Sequence, residues 1–441
     1  MNFVRIVSVF SDKINRTVEE LSKVYADKVL LKEEIRAIFK GILDSNAIHG
    51  KKILLKPNWV LNNRKEDDVI CLRTNDSFLL AALEILLENQ PASVIIGDAP
   101  IQGCNWDKML SNEFIQSIES LRTEFSIPIQ IMDFRRVTFD PSQNNPTIER
   151  NPISNYIIFD LGKESNLEPI SSTKNIFRVT DYNPDRLAES HTIGIHKYCI
   201  TKELFNADLV ISMPKIKTHQ KAGITGALKN IVGLNGDKDF LPHHRIGGIG
   251  FGGDCYPGKN ILRRTSEWLL DNANRHQGKK TYWYLRFAAL VIWKLSYPNK
   301  TQQLGASWYG NDTVWRMVMD LNKIAVFGKI DGSISQEPQR AVYSLCDGII
   351  GGQGEGPLNP EPLPLGIISF SNNSAMNDIC MGTLMAFDIQ KISLLNAAKQ
   401  DIAHQKIDVT FNGIKINSSD LLNLSILTTP PSGWVEYMNK K

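Results

Sequence analysis

The stretch "ADLVISMPKIKTHQKAGITGALKNIVG", residues 207–233, decides the fold. It begins with an apolar run, continues through a lysine-rich polar segment, and then carries glycines at positions 223 and 226 ahead of residues with helical spacing. A short strand that is apolar throughout is typical of a sheet covered on both faces. The stretch therefore predicts a buried strand, a polar turn and a helix that begins near Gly223.

The same order recurs earlier in the chain. "KKILLKPNWV" from Lys51 precedes the helical "DSFLLAALEILLENQ", and "ASVIIGDAP" from Ala92 precedes the helical "WDKMLSNEFIQSIESL". Such alternation predicts an α/β fold with mainly parallel sheets and helices on both faces. The N-terminal "MNFVRIVSVFSDK" places Arg5 inside an apolar run, which indicates a first strand and not a signal peptide.

The length of 441 residues exceeds what one hydrophobic core usually fills, so two lobes are expected. The segment "RRTSEWLLDNANRHQGKKTYWYLRFAALVIWKL", residues 263–295, is basic and rich in tryptophan and contains no candidate strand. We predict an α/β lobe over residues 1–256, a helical insertion or lid over 257–322, and a second α/β lobe with the "GGQGEGP" loop over 323–441.

The overall charge is nearly balanced. Fifty basic residues stand against 47 acidic ones, a formal net charge of +3 that does not indicate a nucleic-acid or membrane partner by itself. The apolar run "FAALVIW", residues 287–293, is far shorter than the roughly 20 residues that span a bilayer. We expect a cytoplasmic protein without a nucleic-acid partner. Contact of the basic, aromatic segment 263–294 with a membrane surface is the alternative.

The cysteines are scattered singly, and no CxxC pair occurs. This spacing argues against a zinc ribbon and against an iron-sulfur cluster held by the chain itself, and it predicts reduced, mostly buried thiols. The six positions are Cys71, Cys104, Cys199, Cys255, Cys346 and Cys380.

Polar residues follow several of the apolar runs directly. Because ligands bind outside the carboxyl ends of the strands in an open parallel sheet, these residues are candidates for one crevice. For any single position, ordinary exposure of a strand end explains a polar residue equally well. The positions are Lys56, Asn58, Asp98, Lys215, Lys217, His219, Gln353 and Glu355.

The glycines of "AGITGALKN" suggest an anion site. Backbone N–H groups at the start of the predicted helix could receive a carboxylate or phosphate, with Lys215, Lys217 or Lys229 adding charge. The Walker A spacing is absent, and "GIGFGG" at 248–253 matches GxGxxG without a preceding strand or a following helix. The pattern therefore indicates an anion without naming a nucleotide, and close packing of strand and helix is the alternative role of the glycines.

Three histidines and one carboxylate predict a divalent metal site. His219, His243, His244 and Asp254 are ligand types suited to zinc, iron or manganese, although no HxH or HExxH spacing occurs. His219 is also a candidate for proton transfer together with Asp98 or Glu355. Structural hydrogen bonding is the alternative role for these histidines.

Together, five segments resemble the domain-of-unknown-function 362 family, from about Lys51 to Ala397. They are "KPNWV" (56–60), "VIIGDAP" (94–100), the stretch 207–233, "SWYGNDTVWRMVMDLN" (307–322) and "CDGIIGGQGEGPLNPEPLPLGIISFSNNSAMNDICMG" (346–382). Many members carry a ferredoxin-like CxxCxxC segment, which this chain lacks. The family's motif positions are occupied here by Lys56, Asn58, Asp98, Lys215, Lys217, His219, Thr225, Lys229, Asn230, Gln353, Glu355 and Asp378.

Our leading hypothesis is an enzyme that binds a small carboxylate or phosphate in a crevice between the lobes. His219, Asp98 and Glu355 would carry the chemistry, assisted by a divalent metal. The alternatives are an electron-transfer component that depends on a partner for its cluster, and a non-catalytic module that binds a membrane surface or a partner protein. The expected substrate-binding residues are Lys56, Asn58, Lys215, Lys217, Thr225, Lys229, Asn230 and Gln353.

Overall fold

One large sheet organises the molecule. The computed structural model describes residues 2–10, 16–62, 69–139, 147–174, 176–296 and 305–439. Its strands are β1 (Asn2–Ser8), β2 (Lys52–Pro57), β3 (Ser93–Asp98), β4 (Ile129–Asp133), β5 (Val137–Phe139), β6 (Thr147–Glu149), β7 (Tyr156–Asp160), β8 (Phe177–Arg178), β9 (His191–Thr192), β10 (Ile195–Thr201), β11 (Leu209–Met213), β12 (Lys215–His219), β13 (Gly223–Thr225), β14 (His244–Arg245), β15 (Ala341–Glu355), β16 (Asn359–Leu363), β17 (Ile367–Ser371), β18 (Ile407–Phe411) and β19 (Ile414–Lys415).

Helices connect most of these strands. They are α1 (Val18–Ala26), α2 (Lys28–Phe39), α3 (Ser45–Ile48), α4 (Val69–Leu72), α5 (Asp76–Leu87), α6 (Asn112–Phe125), α7 (Pro184–Ser190), α8 (Glu203–Asn206), α9 (Ala227–Asn230), α10 (Ile261–Arg275), α11 (Lys280–Leu295), α12 (Val314–Phe327), α13 (Ser374–Leu384), α14 (Ser393–Asp401) and α15 (Ser418–Asn423).

The strand order of the large sheet is β19-β18-β1-β17-β15-β11-β2-β3-β4, and β12, β13 and β16 extend it at the second half of β15. The run β15-β11-β2-β3-β4 is parallel, whereas β17 is antiparallel to both of its neighbours, β1 and β15. The predicted α/β class with a mainly parallel sheet is confirmed.

Helices cover both faces of this sheet, which is why its central strands are apolar throughout. One face packs against side chains of α2, α5 and α6, such as Ile35, Phe78 and Phe114. The other face packs against α12 and α14, through side chains such as Met317 and Leu394. β11 is buried at every position, as expected for a strand between two helical layers.

The helix expected to begin near Gly223 starts later than the sequence predicts. Residues Gly223–Thr225 form β13, which turns back antiparallel to β12, and the helix covers only Ala227–Asn230. Gly223 has a φ of +80°, a conformation that glycine adopts without the strain a side chain would cause. The turn therefore depends on the glycine, and the two β-branched residues that follow it fit a strand.

The segment 261–295 is helical, and α10 and α11 pack side by side as a hairpin. In contrast, α12 lies in the core, where Met317, Val318 and Leu321 are buried. Strands from both predicted lobes share the one large sheet, and the division of the chain at residues 257 and 322 stays a prediction. Within the described ranges, every helix is too short or too polar to cross a membrane.

Lys215 belongs to the sheet and not to a crevice. Its Nζ lies 2.9 Å from Asp347 Oδ2 and donates to Tyr25 Oη at 2.9 Å, and both members of the ion pair are fully buried. Tyr25 Oη also donates to Asp347 Oδ1 at 2.5 Å. The pair thus joins α1 to the junction of β12 and β15.

We expect Lys215→Met to lower the free energy of unfolding by about 3 kcal/mol, because it leaves the Asp347 carboxylate buried without a counter-charge. Urea denaturation measures this. The matched control is Lys323→Met, which breaks the exposed ion pair with Glu164 and should change stability by less than about 1 kcal/mol. Equal effects of the two substitutions would contradict a structural role for the buried pair.

Candidate ligand-binding cavity

A cavity of about 500 Å³ lies outside the carboxyl ends of β2 and β3. Lys56 and Asp98 are the last charged residues of these two parallel strands, so the sheet brings them to the same edge. This is the position expected for a ligand crevice in a parallel sheet. The residues of the sequence-predicted set that line it are Lys56, Asn58, Asp98, Lys217, His219, Thr225, Lys229, Asn230 and His243.

The floor of the cavity is a buried ion pair. Lys56 Nζ lies 2.7 Å from Asp98 Oδ1 and also donates to Asn230 Oδ1 at 3.1 Å and to the carbonyl of Pro57 at 2.8 Å. Asp98 accepts from the backbone N–H groups of Trp59 and Ala99 at 2.7 and 2.8 Å. Since both charged groups are fully engaged, Asp98 is poorly placed to act as the base that the sequence predicts.

Gly233 permits this arrangement. A Cβ atom at this position would lie 1.8 Å from Asp98 Oδ1 and 2.6 Å from Lys56 Nζ, so any side chain would displace the pair. Sequence reasoning missed Gly233, because nothing in the pattern of the chain shows that its backbone passes over the strand ends.

Three lysines line the cavity without an ion-pair partner among the described residues. They are Lys217, Lys229 and Lys238. Lys217 donates to the carbonyl of Leu72, and Lys238 donates to the carbonyl of Ala99 at 3.1 Å. Burial lowers the pKa of Lys217 and of Lys229 to about 7 and that of Lys238 to about 8, and repulsion by neighbouring lysines or Arg135 adds to the effect. The cavity therefore carries an uncompensated positive charge when these lysines are protonated.

Lys238 was absent from the sequence-predicted set. It follows no strand and lies in a short turn of 3-10 helix, Lys238–Phe240. Only its position in the lysine-rich region after "IVG" could have indicated that Lys238 belongs to the site. The fold of that region, and not its spacing, turns the side chain toward Ala99.

The two histidines of the cavity are held in opposite tautomers. The backbone N–H of Lys221 donates to His219 Nδ1 at 3.0 Å, so a neutral His219 ring carries its proton on Nε2. His243 Nδ1 lies 2.7 Å from the carbonyl of Leu241 and donates to it, which leaves Nε2 as an acceptor. Burial lowers the pKa of both rings well below the usual value, so both are neutral. The cavity thus holds one imidazole donor and one imidazole acceptor.

Two polar atoms that face this region have no hydrogen-bond partner among the described residues. They are Thr225 Oγ1 and Asn58 Oδ1, and both residues are buried and line the cavity. Buried polar atoms are nearly always hydrogen-bonded, so unpaired ones beside a cavity indicate a bound molecule or water.

Glu355 and Gln353 lie outside the cavity. Glu355 accepts hydrogen bonds from Gln220 and from the backbone N–H of Ser432, the latter at 2.9 Å. Gln353 accepts from the backbone N–H of Thr429 at 3.0 Å. Both side chains fasten the C-terminal segment to β15, and the structure does not bring Glu355 together with Asp98 and His219.

Asp378 occupies the helix terminus that was expected to hold an anion. Its carboxylate accepts from the backbone N–H groups of Ala227 and Leu228 at 2.6 and 2.9 Å. A Cβ atom at Gly226 would lie 2.2 Å from Asp378 Oδ1, so the glycine allows the contact. These amides are thus satisfied within the protein, and the lysines are the groups left for an anion.

The four predicted metal ligands do not form one group. His219 and His243 line the cavity, whereas His244 and Asp254 do not. Asp254 accepts from Thr313 Oγ1 at 2.6 Å and from the backbone N–H of Asp312 at 3.0 Å. Asp254 thus joins the end of the loop 248–253 to the start of α12.

Residues of α11 cover the cavity. Tyr282, Trp283 and Arg286 are part of its lining, and the Arg286 guanidinium forms an ion pair with Asp181, which also lines the cavity. Asp181 and Asp98 are both paired with other cations, and neither forms an ion pair with any of the three lysines.

The lowered pKa of Lys229 makes stability depend on pH. The ordinary lysine value is 10.5 and the folded value about 7, so between them the unfolded chain binds a proton that the folded protein does not. The unfavourable contribution is therefore complete below about pH 7 and fades as the pH rises toward 10.5. We expect Lys229→Met to be more stable than the wild type by roughly 2–4 kcal/mol near pH 6, and by less near pH 9.

Urea denaturation at the two pH values tests this difference, and other titrating groups cancel in it. Lys399→Met, at an exposed position of α14, is the matched control and should show no pH-dependent gain. A loss of stability in Lys229→Met at low pH would show that the lysine is part of the structural framework.

The comparisons with known proteins give a family and two distant structural likenesses. A protein from Thermotoga maritima has a TM-score of 0.33 and 10% identity over 88% of this chain and 60% of that one. The lactate racemase apoprotein from Thermoanaerobacterium thermosaccharolyticum has a TM-score of 0.32 and 11% identity over 87% of this chain and 57% of that one. The chain thus spans about three fifths of the length of these structures.

No curated protein matches the chain. A family model described as "Domain of unknown function (DUF362)" matches residues 154–382, which is more than half of the chain and includes most of the cavity's lysines and histidines. The chain therefore belongs to the DUF362 family.

Proposed function

We propose that the cavity binds a small molecule with a carboxylate or phosphate group and that the protein is an enzyme that transfers protons on this molecule. The observation that carries the proposal is the convergence of Lys217, Lys229 and Lys238 on one cavity without a carboxylate partner among the described residues. Buried, unpaired cations cost stability, and an anionic ligand removes that cost.

The other groups of the cavity suit a ligand that carries a hydroxyl or amine and an apolar portion in addition to its anionic group. The Thr225 hydroxyl can donate to an anionic oxygen, and Asn58 Oδ1 can accept from a hydroxyl or amine. Val179, Leu241 and Trp283 line other parts of the cavity and suit an apolar portion. A volume of about 500 Å³ suits a ligand of metabolite size.

His219 and His243 supply the proposed acid and base. His219 presents an Nε2–H that can donate to a substrate, and His243 presents an unprotonated Nε2 that can accept. Two neutral imidazoles of opposite tautomer allow a proton to leave one position of a substrate while another is delivered. Lys217 and Lys229, with pKa values of about 7, can take part near neutral pH.

Inorganic phosphate and malonate are suitable first probes in isothermal titration calorimetry. We expect Lys229→Met and Lys217→Met each to weaken binding at least about tenfold, since each removes one cation from a buried site. Affinity should be level below about pH 7 and fall above it, because the anion favours the protonated lysine. Lys399→Met is the control and should bind as the wild type does.

Unchanged anion affinity in both Lys217→Met and Lys229→Met would contradict the proposed anion site.

Proton transfer is tested separately, with a panel of small carboxylates and phosphate esters in deuterium oxide observed by proton NMR. Exchange of a carbon-bound hydrogen by the wild type that is lost in His243→Gln and His219→Gln, while both variants keep their anion affinity, is the expected result. Exchange that persists in both variants would contradict the assignment of acid and base.

A second candidate function rests on the outer face of the α10–α11 hairpin. Tyr284, Phe287 and Leu295 are 74%, 70% and 74% exposed, and their spacing places them along one side of α11. The exposed charged residues of the described segment 259–296 are all basic: Lys259, Arg264, Arg275, Lys279, Lys280 and Lys294. Apolar residues bordered by basic ones suit the surface of an anionic membrane.

For this candidate we expect the full chain to sediment with anionic vesicles and much less with neutral ones. The double substitution Tyr284→Ser with Phe287→Ser should reduce the bound fraction several-fold, because it removes exposed aromatic surface. Leu427→Ser, which removes a 72% exposed leucine outside the hairpin, is the matched control. Equal sedimentation of all variants would contradict the membrane role.

A further inference from the structure

A second cluster of chemically active side chains lies away from the cavity. His244, Cys255 and Glu267 offer ring nitrogen, thiol sulfur and carboxylate oxygen atoms that all lie within 4.8 Å of one another, and all three residues are buried. None of the three lines the cavity described above. Within the described ranges, no other group of three such ligands lies this close together.

We propose that His244, Cys255 and Glu267 bind one Zn²⁺ ion, which fastens the α10–α11 hairpin to the body of the protein. The proposal does not depend on the anion cavity, because none of the three residues takes part in it. Nitrogen, sulfur and carboxylate oxygen are the zinc ligands of proteins, and sites with three protein ligands keep a fourth position for water or another group.

The geometry requires only a small closure. In a tetrahedral zinc site with zinc–ligand bonds of about 2.0–2.3 Å, neighbouring ligand atoms are about 3.5 Å apart. The present separations of up to 4.8 Å exceed this by little more than 1 Å, within the reach of side-chain rotation. The Cys255 sulfur and a Glu267 carboxylate oxygen lie within 4.8 Å of one another, so both side chains can reach the same point.

His244 supplies an independent observation. Its side chain is 95% buried, with 5% of its surface exposed, and Nδ1 has no hydrogen-bond partner among the described residues. In either tautomer this nitrogen is a buried polar atom left unsatisfied, which folded proteins rarely tolerate. A metal ion between His244 and the other two side chains would satisfy it.

The charges also balance. Binding of Zn²⁺ releases the thiol proton of Cys255 to solvent, so that a thiolate and a carboxylate neutralise the two positive charges of the ion while His244 stays neutral. A buried metal site with no net charge avoids the cost of burying a charge without a counter-charge. A hard cation such as Mg²⁺ would gain nothing from the sulfur or the nitrogen.

The glycine-rich loop 248–253, which carries the GxGxxG pattern, positions Cys255 in this cluster. The loop folds back so that the backbone N–H of Cys255 donates to the carbonyl of Gly247 at 2.9 Å. A Cβ atom at Gly253 would lie 2.1 Å from the carbonyl oxygen of Ile246, so this tight return needs a glycine. The return brings Cys255 back to His244, eleven positions earlier in the chain.

The three ligands come from different elements. His244 lies in β14, Cys255 at the end of the loop, and Glu267 in α10, where its carboxylate also accepts from the backbone N–H of Gly247 at 3.0 Å. An ion held by all three would join the α10–α11 hairpin to β14, which directly follows the cavity residue His243. It would thereby stabilise the helix pair of which α11 lines the cavity.

The test uses the full chain, stripped of metal with a chelator and titrated with Co²⁺ and then Zn²⁺. We expect one Co²⁺ per chain with a thiolate-to-cobalt charge-transfer absorption, which Zn²⁺ displaces while it raises the melting temperature. Cys255→Ser should lose the absorption and bind at least about tenfold more weakly, and Glu267→Gln should also bind more weakly. Cys380→Ser, which alters another buried cysteine, is the matched control and should behave as the wild type.

Hydrogen exchange supplies a readout beyond affinity. Zn²⁺ should slow amide exchange in α10 of the wild type and of Cys380→Ser, but not of Cys255→Ser. Failure of the folded wild type to take up Co²⁺ or Zn²⁺ near one per chain would overturn the proposal and leave three neighbouring buried side chains without a shared ligand. Unchanged absorption and affinity in Cys255→Ser would overturn it as well, since the ion would then be bound elsewhere.

Discussion

The buried ion pair between Lys56 and Asp98 is the interaction on which the cavity depends. It joins the carboxyl ends of two neighbouring parallel strands and contacts the last residue of α9, Asn230. Lys56 Nζ donates three hydrogen bonds and the Asp98 carboxylate accepts three, one of them shared between the two groups, and these contacts compensate for the removal of both charges from water. Gly233 lets the backbone pass over the pair at a distance that no side chain would allow.

Because Lys56 and Asp98 neutralise each other, the pair leaves no carboxylate to form an ion pair with the other lysines of the cavity. Lys217, Lys229 and Lys238 share the cavity, and burial works against the protonation of each. A protein gains no stability from such an arrangement, since lysine is favourable in the interior only when it is paired. The cost is understandable where a ligand supplies the missing negative charge, which is the physical basis for regarding this cavity as functional.

Several groups that resemble site residues in the sequence instead maintain the framework. Lys215 is neutralised by Asp347, Glu355 holds the C-terminal segment, and Asp378 caps α9. Each is polar and near a strand end or helix terminus, yet each finds its partner inside the protein. The loop 248–253 also has a structural role, because its close backbone contacts bring Cys255 back to His244.

The sequence by itself determined the α/β class, the buried central strands and the family, because apolar periodicity and motif order are local properties of the chain. It also indicated the strand ends that supply Lys56, Asp98 and Lys217, since parallel strands end at a common edge. It did not show that Gly223–Thr225 is a strand, because a positive φ at Gly223 and an antiparallel pairing with β12 decide that segment.

Only the tertiary structure decided which polar residues are free. Lys215 and Lys217 are two positions apart in one strand, yet one is neutralised by a carboxylate from β15 and the other is not. The partner that decides the outcome, Asp347, lies 132 positions from Lys215, and no local pattern records it. The same holds for Lys238 in the cavity and for the grouping of His244 with Cys255 and Glu267, which depend on how loops return across the fold.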